Sequence, residues 1–252
     1  MSKEEQTKFL KAVEHNWYKE MFYIMFLTGM RIGEVGGLMW SDIDFDNKCI
    51  HINRSLSCQY EYGNKMLRLT EPKTHNSYRR IPFFGEAEEM YRAQQNKVKT
   101  LKNTLGKRWR AEGEYEDLVF VTTMGSPVLR YHAEKEIKKI VNELNMQEAH
   151  NAVMEQREPV VFEDMYPHAI RHTFCNRCFE ANMQPKVVQS IMGHKHYSTT
   201  IDIYTHVTEA KYEEEIEKFG MAMDEGTEQD KDEFEDEVDE SEDEEQGFGM
   251  MM

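Results

Sequence analysis

The chain has 252 residues and carries 31 Lys and Arg against 47 Asp and Glu, a formal charge of −16 that argues at first against an anionic partner. The acids are concentrated, however: residues 221–252 hold fifteen of them and the single base Lys231, leaving 30 basic and 32 acidic side chains in residues 1–220, a net of −2. A near-neutral body can present one basic face, and no apolar run approaches the length of a membrane span, so a helical membrane protein is excluded and a phosphate-gripping one is not.

The first 40 residues read as helices: Glu4 to Val13, Trp17 to Leu27 and, after a Thr28-Gly29 break, Arg31 to Leu38. Ile32, Val35 and Leu38 recur at helical spacing, so Arg31 opens that short helix beside its apolar stripe. β-Branched and alternating stretches follow at Cys49 to Arg54, Lys65 to Thr70 and Arg79 to Phe83, separated by turn-prone Gly63-Asn64 and by residues 74–77, and they predict a small antiparallel sheet. Helical patterning returns over 86–104, 130–145, 168–182, 185–192, 199–204 and 209–218, with a short extended piece at Leu118 to Val121. The fold class is therefore α+β, mostly α-helical with a small antiparallel β-sheet. Residues 1–220 form the folded domain. Beyond Met221 apolar residues are too sparse to offset the entropy of ordering, and 221–252 reads as a disordered acidic tail. That tail is read as solubilising, with a DNA mimic competing for a basic face as the alternative.

The N-terminus has no apolar signal core, and cysteines at 49, 58, 175 and 178 make no disulfide framework, which together point to the cytoplasm. Cys175 and Cys178 form a C-x-x-C inside a helical pattern, where packing is preferred to metal or redox work.

Five stretches concentrate polar residues: Thr28-Gly-Met-Arg31-Ile-Gly-Glu34, Pro72-Lys73-Thr74, His168-Ala-Ile-Arg171-His172-Thr173-Phe174, Met192-Gly193-His194, and Thr199-Thr-Ile-Asp-Ile-Tyr204-Thr-His206. Three-residue spacing puts His168 and Arg171 on one helix face, where a guanidinium can fork a phosphate and an imidazole can carry a proton near neutral pH. Taken singly each has a bland reading: Arg31 a helix-start charge, Lys73 a solvated lysine, His194 a turn residue, Tyr204 a half-buried aromatic beside Ile201 and Ile203. His168 and His172 stand four apart as in zinc sites, but Ala169 occupies the place a zinc protease needs for Glu, and no carboxylate cluster suggests two-metal hydrolysis.

In order and spacing, the five stretches together resemble the catalytic domain of the tyrosine recombinase (phage integrase) family, with a likeness in particular to conjugative-transposon integrases. The resemblance spans residues 4–218. The first stretch, running on through Leu38-Met-Trp40-Ser-Asp42, is similar to the family's first arginine box, the third and fourth to its second box, and Tyr204-Thr-His206 to the segment bearing its nucleophile. What it implies is a site-specific recombinase for integration and excision of a mobile element, acting on double-stranded DNA through a 3′-phosphotyrosyl intermediate, with Arg31, Lys73, His168, Arg171, His194 and Tyr204 as its six active-site positions. Tyr197 and Tyr212 are rival nucleophiles of lower rank, since neither precedes Thr-His.

A tyrosine oxygen suits such chemistry because phosphotyrosine conserves the energy of the broken phosphodiester, so no cofactor and no metal is expected. Arg31 and Arg171 would clamp the non-bridging oxygens with His194 adding a hydrogen bond, Lys73 would protonate the leaving 5′ oxygen, and His168 would help deprotonate Tyr204. Glu34, one turn beyond Arg31, is placed to orient an arginine. The resemblance further implies self-association on DNA as a tetrameric synapse with exchange of the C-terminal helix, an excision directionality factor as partner, and a bacterial, nucleoid-associated setting. The core-binding and arm-binding domains that such proteins carry upstream are missing, which suggests a fragment. Two rivals remain: a type IB topoisomerase-like relaxing enzyme, and a catalytically silent DNA-binding regulator.

Overall fold

Ser2 starts the first helix, α1 (Lys3–Ala12), through a reciprocal cap: its hydroxyl accepts from the Glu5 amide at 3.1 Å while the Glu5 carboxylate accepts from the Ser2 amide at 2.7 Å. The computed structural model describes residues 1–61, 64–71, 77–163, 165–194 and 217, without the side chains of 60, 61, 64 and 65. Helix α2 (Lys19–Thr28) buries Met21, Phe22, Ile24, Met25 and Phe26, too many for one face, and a helix apolar around most of its circumference belongs inside a domain. It packs against both α4 (Gly85–Leu105) and α6 (Pro167–Glu180). Phe9 of α1 meets Phe22 and Phe26 edge to face, at centroid separations of 5.5 and 5.9 Å. Around this centre close α5 (Arg130–Met154), which packs on α1 and α6, and α7 (Pro185–Met192), which packs on α6.

Gly29 ends α2 in the left-handed conformation, φ 62°, and a Cβ there would lie 2.3 Å from the Phe174 ring of α6. That close passage brings the α2 C-terminus and α6 together. The short α3 (Ile32–Gly36) follows at once; a Cβ on Gly36 would lie 2.5 Å from the Val128 carbonyl oxygen, so glycine lets this helix approach the chain entering α5.

The strands form two separate antiparallel sheets. One has the order β1 (Ile43–Asp44), β2 (Cys49–Ile52), β5 (Arg79–Pro82), with Ile50 opposite both Ile43 and Ile81. The other is the hairpin β3 (Ser55–Glu61) with β4 (Asn64–Thr70), Leu56 opposite Leu69. The sequence predicted one sheet with strands at 49–54, 65–70 and 79–83; it contains no signal for β3, whose Ser55, Ser57 and Gln59 lack β-branched side chains. Helix α5 also runs nine residues past the expected 145, through good helix formers of which only Ala152 is buried, so no apolar stripe marks the extension. The class itself is as expected, mostly helical with small antiparallel sheets.

The C-x-x-C pair packs in a local cluster with Phe179, Val188 and Met192, and burial pushes the Cys175 and Cys178 thiols up to about 11 and about 12. Both are thus protonated, inert packing groups at neutral pH. The expected helices at 199–204 and 209–218, apart from Glu217, and the tail at 221–252 lie outside the described residues. Among the described residues, no helix is long and apolar enough to cross a membrane.

Candidate active site

Arg31 is the N-cap residue of α3, with extended backbone (φ −70°, ψ 146°). Its amide donates to Glu34 Oε2 at 2.8 Å and its Nη1 to Glu34 Oε1 at 2.8 Å, while Nη2 reaches Gly193 O at 3.0 Å. The side chain remains 37% exposed, so it borders solvent. Glu34 is buried. Burial alone would raise its pKa, but hydrogen bonds and charge from Arg79, with the charge of Arg31, hold its carboxyl down at about 2. It is therefore a fixed anion at any working pH.

Arg171 lies in α6, whose first turn is fixed by Pro167, and it is only 2% exposed. Its Nη1 donates to Gly29 O at 2.5 Å and its Nη2 to Met192 O, while Nε has no hydrogen-bond partner among the described residues. Burial, with Arg31 nearby, lowers its pKa to about 9, which still leaves it charged at neutral pH. The sequence led us to expect Arg31 and Arg171 to clamp a phosphate together; in the fold Arg31 borders solvent and Arg171 is sealed against two carbonyls.

His168 stands one turn before Arg171, its ring edge-on to that of His172 at 4.7 Å. Partial burial, then the neighbouring His172, Arg171 and Arg31, lowers its pKa. His194 follows the left-handed Gly193 that ends α7. Burial, with Arg171 and Arg31 close by, pushes its pKa down to about 4, so it is neutral at pH 7. Gln189 Nε2 donates to the His194 carbonyl at 3.2 Å.

The end of α7 is the meeting point. The last carbonyls of a helix lack partners within it and form the negative end of its dipole. Here three consecutive ones each receive a guanidinium: Ile191 O from Arg79, Met192 O from Arg171 and Gly193 O from Arg31. Among the described residues, three cations against the single carboxylate of Glu34 make an anion-seeking centre. Beside it a hollow of about 280 Å³ is lined by Tyr78, Arg79, Lys186, Gln189 and His194, among others.

Of the six positions singled out in the sequence, the fold brings Arg31, His168, Arg171 and His194 together. Lys73 and Tyr204 lie outside the described residues, as do Tyr197 and Tyr212. Sequence reasoning missed Arg79. It read only as the start of a strand, because its partners Glu34 and Ile191 are 45 and 112 residues away along the chain. Among the described residues, Asp44, Cys49 and His51 on β1 and β2 have side-chain donors close enough to share a metal ion. Both Asp44 oxygens already accept from Asn47, at 2.8 and 2.7 Å, and Arg80 stands opposite His51 in the β2–β5 register, which disfavours a cation there.

The fold is that of a solved integrase of transposon Tn1549, in a structure with transposon right-end DNA: TM-score 0.70, 25% identity, covering 87% of this chain and 65% of that one. XerA recombinase has the same fold, at TM-score 0.60 and 18% identity, with 87% of this chain and 64% of that one covered. Residues 1–211 match the phage integrase family, and the chain belongs to it. A XerC-like tyrosine recombinase of Caldanaerobacter subterraneus subsp. tengcongensis is 32% identical over 82% of this chain and 50% of its own length. The transposase of transposon Tn916 from Enterococcus faecalis is 32% identical over 73% of this chain and 41% of its own. The chain spans about half the length of these relatives or less.

Proposed function

We propose that this protein cleaves and religates double-stranded DNA as a site-specific recombinase of a mobile element, through a phosphotyrosyl bond to Tyr204. The observation that carries the reading is the convergence of Arg31, Arg171 and His194 on the end of α7, with His168 one turn before Arg171, in a centre where, among the described residues, cations outnumber the one carboxylate. Relatives named as transposon transposase and integrase, one solved with transposon-end DNA, support the choice of substrate.

The step balances as follows. The Tyr204 oxygen bonds to phosphorus as the bond to the 5′ oxygen breaks, leaving a 3′-phosphotyrosine and a free 5′ hydroxyl. His168, kept neutral by its surroundings, accepts the phenolic proton, and Lys73 supplies one to the departing oxygen. Arg31, with His194 as a neutral donor, meets the non-bridging oxygens, and Arg171 joins them when the phosphate displaces a carbonyl from its fork. Reversal by another 5′ hydroxyl completes the exchange. In this reading residues 1–220 are the catalytic domain and 221–252 an acidic tail. The protein self-associates on DNA as a tetrameric synapse with exchange of the C-terminal helix, and an excision directionality factor is a further partner.

The test is incubation with nicked suicide duplexes of the element's ends, followed by mapping of the covalent peptide. A DNA adduct on Tyr204, lost in Tyr204→Phe, is expected. Failure of wild type to form one would sink the proposal. Relaxation of arbitrary supercoiled plasmid without strand exchange would transfer the activity to the topoisomerase class.

A further inference from the structure

Arg79 has no part in the chemistry just described, yet it is the most elaborately bonded guanidinium of the centre. Its Nη1 and Nη2 donate to Glu34 Oε1 and Oε2 at 2.9 and 2.8 Å, its Nε donates to Ile191 O at 2.5 Å, and Nη1 also reaches Ser77 O at 3.3 Å. The side chain is 4% exposed, so it cannot take a DNA phosphate as it stands.

We propose that Arg79 is a positioning residue of this centre: one rigid fork on β5 fastens Glu34, and through it Arg31, to the end of α7 that presents His194. The inference rests on the recombinase reading and deepens it. Three elements distant in sequence meet at this side chain. Glu34 belongs to α3, Ile191 to α7 and Arg79 itself to β5, which packs on α7. Glu34 divides its two oxygens between Arg79 and Arg31, Oε1 accepting from both guanidiniums. The angle at which Arg31 leaves α3 is therefore set by where Arg79 holds the carboxylate. Ile191 O, the third partner, lies three residues before His194, so the same fork sets the height of α7 relative to Arg31.

Only a planar group with several donors in fixed directions can hold a bidentate carboxylate and a carbonyl at once, and an ammonium cannot. Loss of the fork leaves Glu34 with Arg31 as its remaining cation among the described residues. Arg31 is then drawn toward the carboxylate and the α7 end is released from β5. Displacement of a reacting group by about 1 Å costs on the order of 100-fold in rate. DNA affinity, which depends on exposed cations, should be nearly untouched.

The experiment uses the full chain: wild type, Arg79→Lys, Arg79→Met, Glu34→Gln and the Arg79→Met/Glu34→Gln double variant. Each is measured for single-turnover cleavage of the nicked duplex at saturating protein, for duplex affinity by anisotropy, and for melting temperature. We expect cleavage about 10-fold slower in Arg79→Lys and about 100-fold slower in Arg79→Met. Affinity should stay within about twofold, and the double variant should be no slower than the slower single one, because both act through one contact. If Arg79→Met does not fold, Arg79→Lys, which keeps the charge, decides by the same readouts. Wild-type cleavage rates in folded Arg79 variants, or fully multiplicative losses in the double variant, overturn the proposal while leaving the recombinase reading intact. A wild type that forms no adduct overturns the recombinase reading and this one with it.

Discussion

Arg31 and Arg171 carry the same charge into the same centre but are held very differently, and the difference separates catalysis from stability. Arg171 is buried and closes two main-chain carbonyls, Gly29 O and Met192 O, that nothing else in the described residues satisfies so directly. Its truncation leaves both acceptors without a partner, at about 1–3 kcal/mol each. Arg31 is 37% exposed, and Glu34 keeps Arg79 when it is removed. Arg31→Ala should therefore melt within a few degrees of wild type yet cleave on the order of 100- to 1,000-fold more slowly. Arg171→Ala should lose cleavage and at least about 2 kcal/mol of stability together. Paired denaturant unfolding and suicide-substrate cleavage test this; equal stability losses in the two variants would show that the burial difference has no energetic consequence.

At the scale of elements, the junction of α2 with α6 closes at Gly29, where a Cβ would lie 2.3 Å from the Phe174 ring. Gly29 combines a positive φ with a space already filled by Phe174, and its carbonyl is one of the two that Arg171 closes. Gly29→Ala should destabilise by about 2 kcal/mol or more, since the strain of a left-handed alanine adds to the clash. Phe174→Leu should recover part of that loss in the double variant; a melting temperature unchanged by Gly29→Ala would be incompatible with the packing. This junction also shows what the sequence reveals and what it hides. Thr28-Gly29 was legible as a helix break, Arg31 as the opening of a helix and His168 with Arg171 as one helical face, because these depend on neighbours within a turn. Strand β3 was not legible, since its Ser and Gln residues gain strand geometry only by pairing with β4. Nor could local patterning show that Arg171 points inward onto main-chain carbonyls, or that Arg79 joins α3 to α7. Those contacts are made across 142, 45 and 112 residues of chain.

For the molecule as a whole, the centre couples folding to pH through groups the fold keeps uncharged. His194, pushed down to about 4, is neutral in the native state at pH 6, and His168 and His172 are lowered as well, whereas the unfolded chain begins to protonate its histidines near their ordinary value of about 6.5. Between those values the unfolded state binds more protons than the native one, so stability must fall as pH falls. For His194 the loss should begin near pH 6.5 and level off near pH 4. Glu34 acts lower on the scale: its carboxyl, held at about 2, withdraws its contribution only as pH drops below the ordinary carboxylate range toward 2. The two windows can be separated. Denaturant midpoints measured at pH 7, 6, 5, 4 and 3 should decline steadily, and His194→Gln, which cannot take up a proton, should flatten the upper part of that decline while leaving the loss below about pH 4 in place. His168, lowered in the same surroundings, is the imidazole proposed to accept the phenolic proton, so the acid limb of the cleavage rate should also lie below pH 6.5. A midpoint constant from pH 7 to 4.5, or one whose slope His194→Gln does not change, would mean that burial and the neighbouring cations do not hold the His194 ring neutral.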